Sequence, residues 1–185
     1  MDADACRSVL TDLGIRVWYR EDAGFPPSLA ELPDGPDLLF GRGVMPEAPG
    51  VAIVGTRRCT RYGRSLARAY GRTAAAAGWP VVSGLARGID GEAHAGTVAG
   101  NGAGIAVLGS GSDVVYPPEH RRLHDELLAA GGAVVSEYPP GTPPEGWRFP
   151  PRNRIIAGLA RAVVVVEAAE TGGALITATM AAEQG

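Results

Sequence analysis

Five short runs of β-branched and small apolar residues, each followed by a stretch of helical spacing, dominate the chain from Gly50 onward. The runs are Val51–Val54, Val81–Val82, Ile105–Leu108, Ala133–Val135 and Val163–Val166. The helical stretches are Tyr62–Ala77, Ile89–Ala99, Glu119–Ala130, Arg154–Ala160 and Ala174–Glu183. The runs are apolar on both faces rather than alternating, as in strands covered on both sides. This pattern predicts an α/β fold with a doubly wound, mostly parallel sheet over residues 50–185. Residues 1–49 read as a lead-in: an extended piece at Ile15–Tyr19, then loops punctuated by Pro26, Pro27, Pro33, Pro36 and Pro49. The sequence stops just after the helix following the fifth run, where another strand–helix unit is expected.

A chain of 185 residues can bury a core without staples. Its longest strand-like apolar run falls far short of the ~20 residues that span a bilayer, so no membrane partner is expected. The start, MDADACRSV, is acidic and lacks the order of a signal peptide. The two cysteines, Cys6 and Cys59, suit neither a disulfide framework nor a metal site. A cytoplasmic protein is the expectation. Net charge is −3, but the acids concentrate in the lead-in and the remainder is slightly basic. All 17 basic residues are arginine, a bias that a GC-rich genome produces, and also the side chain that grips phosphate through two parallel hydrogen bonds.

In an open parallel sheet ligands gather at the carboxyl ends of the strands. Here those ends are Gly55-Thr56-Arg57-Arg58, Ser83-Gly84-Leu85-Ala86-Arg87-Gly88, Gly109-Ser110-Gly111, Ser136-Glu137 and Glu167 with Thr171-Gly172-Gly173. Glycine lets the backbone approach a ligand, and the N–H groups opening a helix favour anions. One such loop is explained by turn geometry alone. Five together, two bearing arginine, point to a phosphate-bearing ligand. The dinucleotide fingerprint and the P-loop are both absent, so hydride transfer and P-loop hydrolysis lose ground, and no cofactor is expected.

Arg57, Arg61, Arg64, Arg68 and Arg72 recur at helical steps, ordinarily a solvated face, with Arg57 placed apart in the strand-exit loop. The stretch from Tyr138 to Arg154 reads as a long loop of proline and glycine that mixes arginines with Trp147 and Phe149. That mixture suits phosphate contact with base stacking, or rings that merely pin the loop. Catalytic constellations are thin. His120 and His124 lie four apart without a third ligand, as on a solvated helix face, and His94 follows Asp90 at helical spacing. Glu167 is the one carboxylate at a strand end suited to acid–base work.

Taken in order, Val51-Ala-Ile-Val-Gly-Thr-Arg57, Val82-Ser-Gly-Leu-Ala-Arg-Gly-Ile-Asp90 with His94, Tyr116-Pro117, Ser136-Glu137, Phe149-Pro-Pro-Arg-Asn-Arg-Ile-Ile-Ala-Gly-Leu159, and Val166-Glu167 with Gly173-Ala-Leu-Ile-Thr177 resemble the DNA-processing protein A family (DprA, also Smf). The match runs across residues 51–185, and the lead-in at Phe25-Pro26 and Leu39-Phe40-Gly41-Arg42-Gly43 looks like that family's approach to the sheet. The resemblance implies an extended Rossmann-like fold that binds single-stranded DNA during natural transformation, helps load RecA, acts as a homodimer and catalyses nothing. It implies a DNA site of Gly55, Thr56, Arg57, Arg58, Ser83, Gly84, Arg87, Arg148, Phe149, Arg152, Asn153, Arg154, Gly172, Gly173 and Thr177. Within that site Arg57 would contact phosphate, and Arg148 would stand in for any lysine of the family. The chain departs from the family in lacking most of an amino-terminal helical domain, the last sheet motif and a carboxyl-terminal domain.

The alternative from another class is a nucleotide phosphoribohydrolase-like enzyme of the lysine-decarboxylase-like group. Its signature Pro-Gly-Gly-x-Gly-Thr-x-x-Glu is only partly echoed by Glu170-Thr171-Gly172-Gly173-Ala174-Leu175-Ile176-Thr177. A nucleotide-sensing module without DNA affinity is a third option.

Overall fold

The computed structural model describes residues 3–170 and 172–185, with side chains described from residue 8 onward. The lead-in supplies α1 (Ala3–Asp12), β1 (Arg16–Tyr19), α2 (Pro27–Ala30) and β2 (Leu38–Gly43). The remainder supplies β3 (Gly50–Gly55), α3 (Arg61–Ala76), β4 (Val81–Ser83), α4 (Ile89–Ala99), β5 (Gly104–Val107), α5 (Arg121–Ala129), β6 (Ala133–Ser136), α6 (Phe149–Gly158), β7 (Ala160–Glu167) and α7 (Gly173–Gln184). Short 3-10 turns at Pro118–His120 and Gly146–Arg148 lead into α5 and α6.

The strands form one seven-stranded sheet in the order β1-β2-β6-β5-β4-β3-β7. The five from β6 to β7 are parallel, while β2 joins β6 and β1 joins β2 in antiparallel fashion. The α/β expectation, with a mostly parallel sheet wound on both faces, is therefore met. The chain steps from β3 through β4 and β5 to β6, then returns to place β7 on the opposite side of β3. A crevice between outward-diverging connections opens at such a reversal.

Successive residues of each inner strand feed opposite faces, which is why the runs read as continuously apolar. Ala52, Val54, Val82, Ile105, Val107 and Val135 pack with Leu29, Ile155, Ile156 and Leu159 beneath α2 and α6. Ile53 and Val81 face Ala67, Ile89 and Ala93 beneath α3 and α4. Ala106 and Val134 pack against Leu127 of α5. Helices α3 and α4 cross where Gly71 is buried, and a Cβ there would collide with the Ala93 carbonyl.

Two sequence expectations need correction. The lead-in is more than an extended piece and loops: Leu38–Gly43 is a full strand, in register from Phe40 opposite Ser136 to Gly43 opposite Ala133. Its two glycines and single arginine hide a strand that is held by pairing rather than by propensity. The Arg20 guanidinium reinforces the segment by donating to the carbonyls of Ala30 and Leu32. Likewise the proline-rich stretch does not remain loop to Arg154, because α6 begins at Phe149. Pro150 and Pro151 fall in the first turn, where no N–H is needed.

Among the described residues no helix is long and apolar enough to cross a membrane. Cys59 is a free thiol, and the side chain of Cys6 lies outside the described residues.

Candidate nucleic-acid interface

The β3/β7 crevice opens into a cleft of about 400 Å³. Its floor and walls come from Val54, Gly55, Thr56, Arg57 and Arg58 at the β3 exit, Asp90 of α4, Phe149, Arg152 and Asn153 of α6, and Gly172, Gly173 and Thr177 at the start of α7. These segments are distant in sequence, and the strand reversal alone brings them together. Thr171 lies outside the described residues.

Arg57 and Arg58 are exposed at the mouth. The Thr56 hydroxyl accepts the Arg58 amide at 3.2 Å, which tightens the turn carrying both arginines. The Arg57 guanidinium lies over the Phe149 ring, 4.8 Å from its centroid. Phe149 is stacked in turn on Tyr116, with centroids 5.8 Å apart. Arg87 stands 6.0 Å from the Tyr116 centroid and pairs with Glu119.

Arg152 does a different job. It is 5% exposed, and its Nη1 donates to the carbonyls of Gly84 and Val107 while its Nε reaches Asn153 Oδ1 at 3.2 Å. It thereby fastens α6 to the exits of β4 and β5. Burial lowers its pKa to about 10, against the upward pull of Asp90, so it stays charged at neutral pH. Burial likewise pushes the Asp90 carboxyl up, while Arg152 and the Gly84 amide pull it back. That amide donates to Asp90 Oδ2 at 3.1 Å. A Cβ at Gly84 would meet both the Arg152 guanidinium and Asp90, so any larger residue there must displace that pair of side chains. Ser83 is fully buried and donates to the Ile53 carbonyl at 2.7 Å, tying β4 to β3. Asn153 donates to the Gly173 carbonyl at 3.1 Å and so positions the loop opening α7. Thr177 is buried below it, with Oγ1 3.5 Å from the same carbonyl.

Five expected site residues do not line this cleft: Ser83, Gly84 and Arg87, placed above, and Arg148 and Arg154. Arg154 pairs with Glu137 and donates to the Asp34 carbonyl at 2.7 Å, stitching α6 to the β6 exit and the lead-in. Arg148 donates to the Pro143 carbonyl and lies 4.7 Å from the Trp147 ring centroid and 5.3 Å from that of Tyr138. Trp147 is 62% exposed, so it does not pin the loop to the body; its indole N–H is held by Glu145. Tyr116 joins the aromatic group although composition gave it no chemistry; its one signal was the Tyr-Pro pair at a strand-exit loop.

Glu167 is not free for acid–base work. It accepts the Thr60 amide at 3.0 Å and the Thr60 hydroxyl at 2.9 Å, which caps the start of α3. The histidines do not form a solvated face either. His124 is buried beside Asp125, and His120 Nδ1 lies 2.9 Å from the Leu85 carbonyl. Side chains of Arg61, Arg64, Arg68 and Arg72 are exposed along α3, with Arg68 paired to Glu92. Among the described residues no group of three or more His, Cys, Asp or Glu is placed to hold a metal ion.

Residues 16–185 match the family model of DNA recombination-mediator protein A. The chain belongs to that family. Protein Smf of Synechocystis sp. is 46% identical over 169 residues, covering 88% of this chain and 42% of the relative. The solved structure of DNA processing protein A from Streptococcus pneumoniae superposes with a TM-score of 0.85 at 38% identity, covering 96% of this chain and 64% of that one. The Helicobacter pylori DNA processing protein A, whose structure is described as giving insight into its single-stranded DNA binding mode, superposes at 0.81 and 27% identity over 92% of this chain and 77% of its own. The chain thus spans less than half of the Synechocystis relative and about two thirds of the pneumococcal structure.

Proposed function

We propose that the β3/β7 cleft binds single-stranded DNA, with Arg57 and Arg58 on the phosphates and Phe149 offering a face to a base. The observation that carries this is the Arg57 guanidinium seated over Phe149 at the mouth of a cleft between strand ends. Cationic and aromatic groups interleaved along a groove are what an unpaired strand requires. The Helicobacter relative, described by its single-stranded DNA binding mode, supports the same ligand. On this reading Arg152, Asn153, Ser83, Gly84 and Thr177 shape the cleft from below. Arg148 and Arg154 support its walls.

The protein acts here by binding rather than by turnover. Asp90 accepts the Gly84 amide, and Glu167 accepts the Thr60 amide and hydroxyl at the start of α3, so both carboxylates are engaged in holding local structure. We place the binding event in DNA recombination during transformation, in the cytoplasm, with a homodimer handing the strand to RecA. Family membership supports the recombination role.

The test is a titration of labelled oligo-dT and of a duplex of equal length across a salt series. Single strands should bind more tightly, with log K falling linearly in log salt. Equal affinity for duplex, or none for either, would overturn the proposal. Release of adenine from AMP would replace binding with phosphoribohydrolase chemistry. Co-sedimentation with RecA and sizing of the free protein test the two partner assignments.

A further inference from the structure

The main cleft does not end at Phe149. A small hollow lined by Gly84, Ala86, Arg87, Tyr116 and Pro117 shares Arg57, Ala86 and Phe149 with it. Along this join the side chains run in series as Arg57, Phe149, Tyr116 and Arg87, two stacked rings flanked by two arginines, each within 6.0 Å of the next by ring-centroid distance. Tyr116 is half-buried between buried neighbours Val115 and Pro117, and its ring is stacked on Phe149. Arg87 is the one member of the series whose charge is already answered. Its Nε meets Glu119 Oε1 at 2.5 Å, and both side chains are about half exposed, at 50% and 51%.

We propose that Tyr116 and Arg87 form a second subsite, continuing the DNA track beyond Phe149, and that Glu119 occupies its phosphate position until a strand displaces it. The proposal rests on the single-stranded DNA reading of the main cleft. A carboxylate presents two oxygens to the guanidinium fork much as a phosphate does. An exposed ion pair is weak and screened by salt, so a polyanion can exchange with it. An arginine is charged at neutral pH with either partner, so the exchange leaves its charge in place. The consequence is a site whose reach depends on ligand length: a short oligonucleotide fills the main cleft alone, and a longer one must evict Glu119.

The experiment compares a dT probe of about 4 nucleotides with one of about 12 on the parent chain and on Arg87→Gln, Tyr116→Ala, Glu119→Gln, Arg57→Ala and Arg122→Ala. Arg122 is an exposed arginine of α5 paired with Glu126, and it controls for loss of one positive charge. With the longer probe, Arg87→Gln should reduce the salt slope by about 0.7, and Tyr116→Ala should weaken binding about fivefold or more. Glu119→Gln should tighten the longer probe about two- to fivefold. The shorter probe should bind these three variants and the parent alike, and Arg122→Ala should change neither. If Arg57→Ala weakens binding while the Arg87 and Glu119 variants match the parent on both probes, the subsite is wrong and the main cleft stands. A Tyr116→Ala loss equal on both probes would make Tyr116 a prop for Phe149 and overturn the subsite. An Arg122→Ala effect equal to that of Arg87→Gln would reduce it to general charge. A parent chain with no preference for single strands would remove both proposals together.

Discussion

Arg57 leaves β3 into solvent, whereas Arg152 is enclosed by carbonyls of two other strand exits. Burial separates their jobs more sharply than residue type does. Arg57→Ala should leave the denaturation midpoint nearly unchanged and weaken DNA of any sequence, with the salt slope reduced by about 0.7. Arg152→Ala leaves the buried Gly84 and Val107 carbonyls without their donor. It should cost about 1–3 kcal/mol of stability or more, read from a denaturant titration. Phe149→Ala should cost about 1–3 kcal/mol of binding if the ring stacks a base, and an unchanged affinity would return the ring to a purely supporting role. His94 makes a pH prediction. It is fully buried, and desolvation lowers its pKa from 6.5 to about 4. The unfolded chain therefore takes up a proton that the folded chain refuses as pH drops from 6.5 toward 4. Stability should fall across that window, by on the order of 3 kcal/mol in all. In His94→Leu the decline between pH 7 and 5 should flatten, as thermal melts would record.

At the scale of elements, α3 and α4 touch along glycine and alanine rather than along large side chains. Gly71→Val would drive a branched side chain into the Ala93 carbonyl, separating the helix that follows Arg57 from the one that carries Asp90. It should cost about 1–3 kcal/mol or more, visible as a lower denaturant midpoint. The inner parallel strands were legible in the sequence because they are buried on both faces, and that burial leaves unbroken apolar runs such as Val51–Val54, a pattern the half-exposed edge strand β7 shares. β2 was not legible, since Gly41 and Gly43 break the apolar pattern and its register comes from β6. The start of α6 was obscured by Pro150 and Pro151, which signal loops in sequence but fit the first helical turn. In the site, the glycine- and arginine-bearing strand exits could be read directly. The division between cleft-facing Arg57 and wall-binding Arg154 could not, because it depends on where Glu137 and Asp34 arrive in space. Glu167 misled for the same reason: its position at a strand end was visible, and its capture by Thr60 was not.

The molecule as a whole places binding and anchorage at different depths of one sheet. The reversal between β3 and β7 sets the cleft, and the lead-in strands close the far side of the sheet beyond β6. Arg154 joins these regions, so the helix that carries Phe149 is braced by the lead-in as well as by the core. The three tryptophans sample this layout at graded depths. Trp18 is 4% exposed beneath the lead-in, Trp79 is 44% exposed before β4, and Trp147 stands at the turn beside the cleft. Each environment has its own optical character, so the protein carries its own dyes. A strand entering the cleft should quench the red-shifted emission of Trp147 and leave the blue-shifted emission of Trp18 in place. Unfolding should do the reverse, moving Trp18 to the red. Ligand occupancy and folding can thereby be followed in a single cuvette without a label.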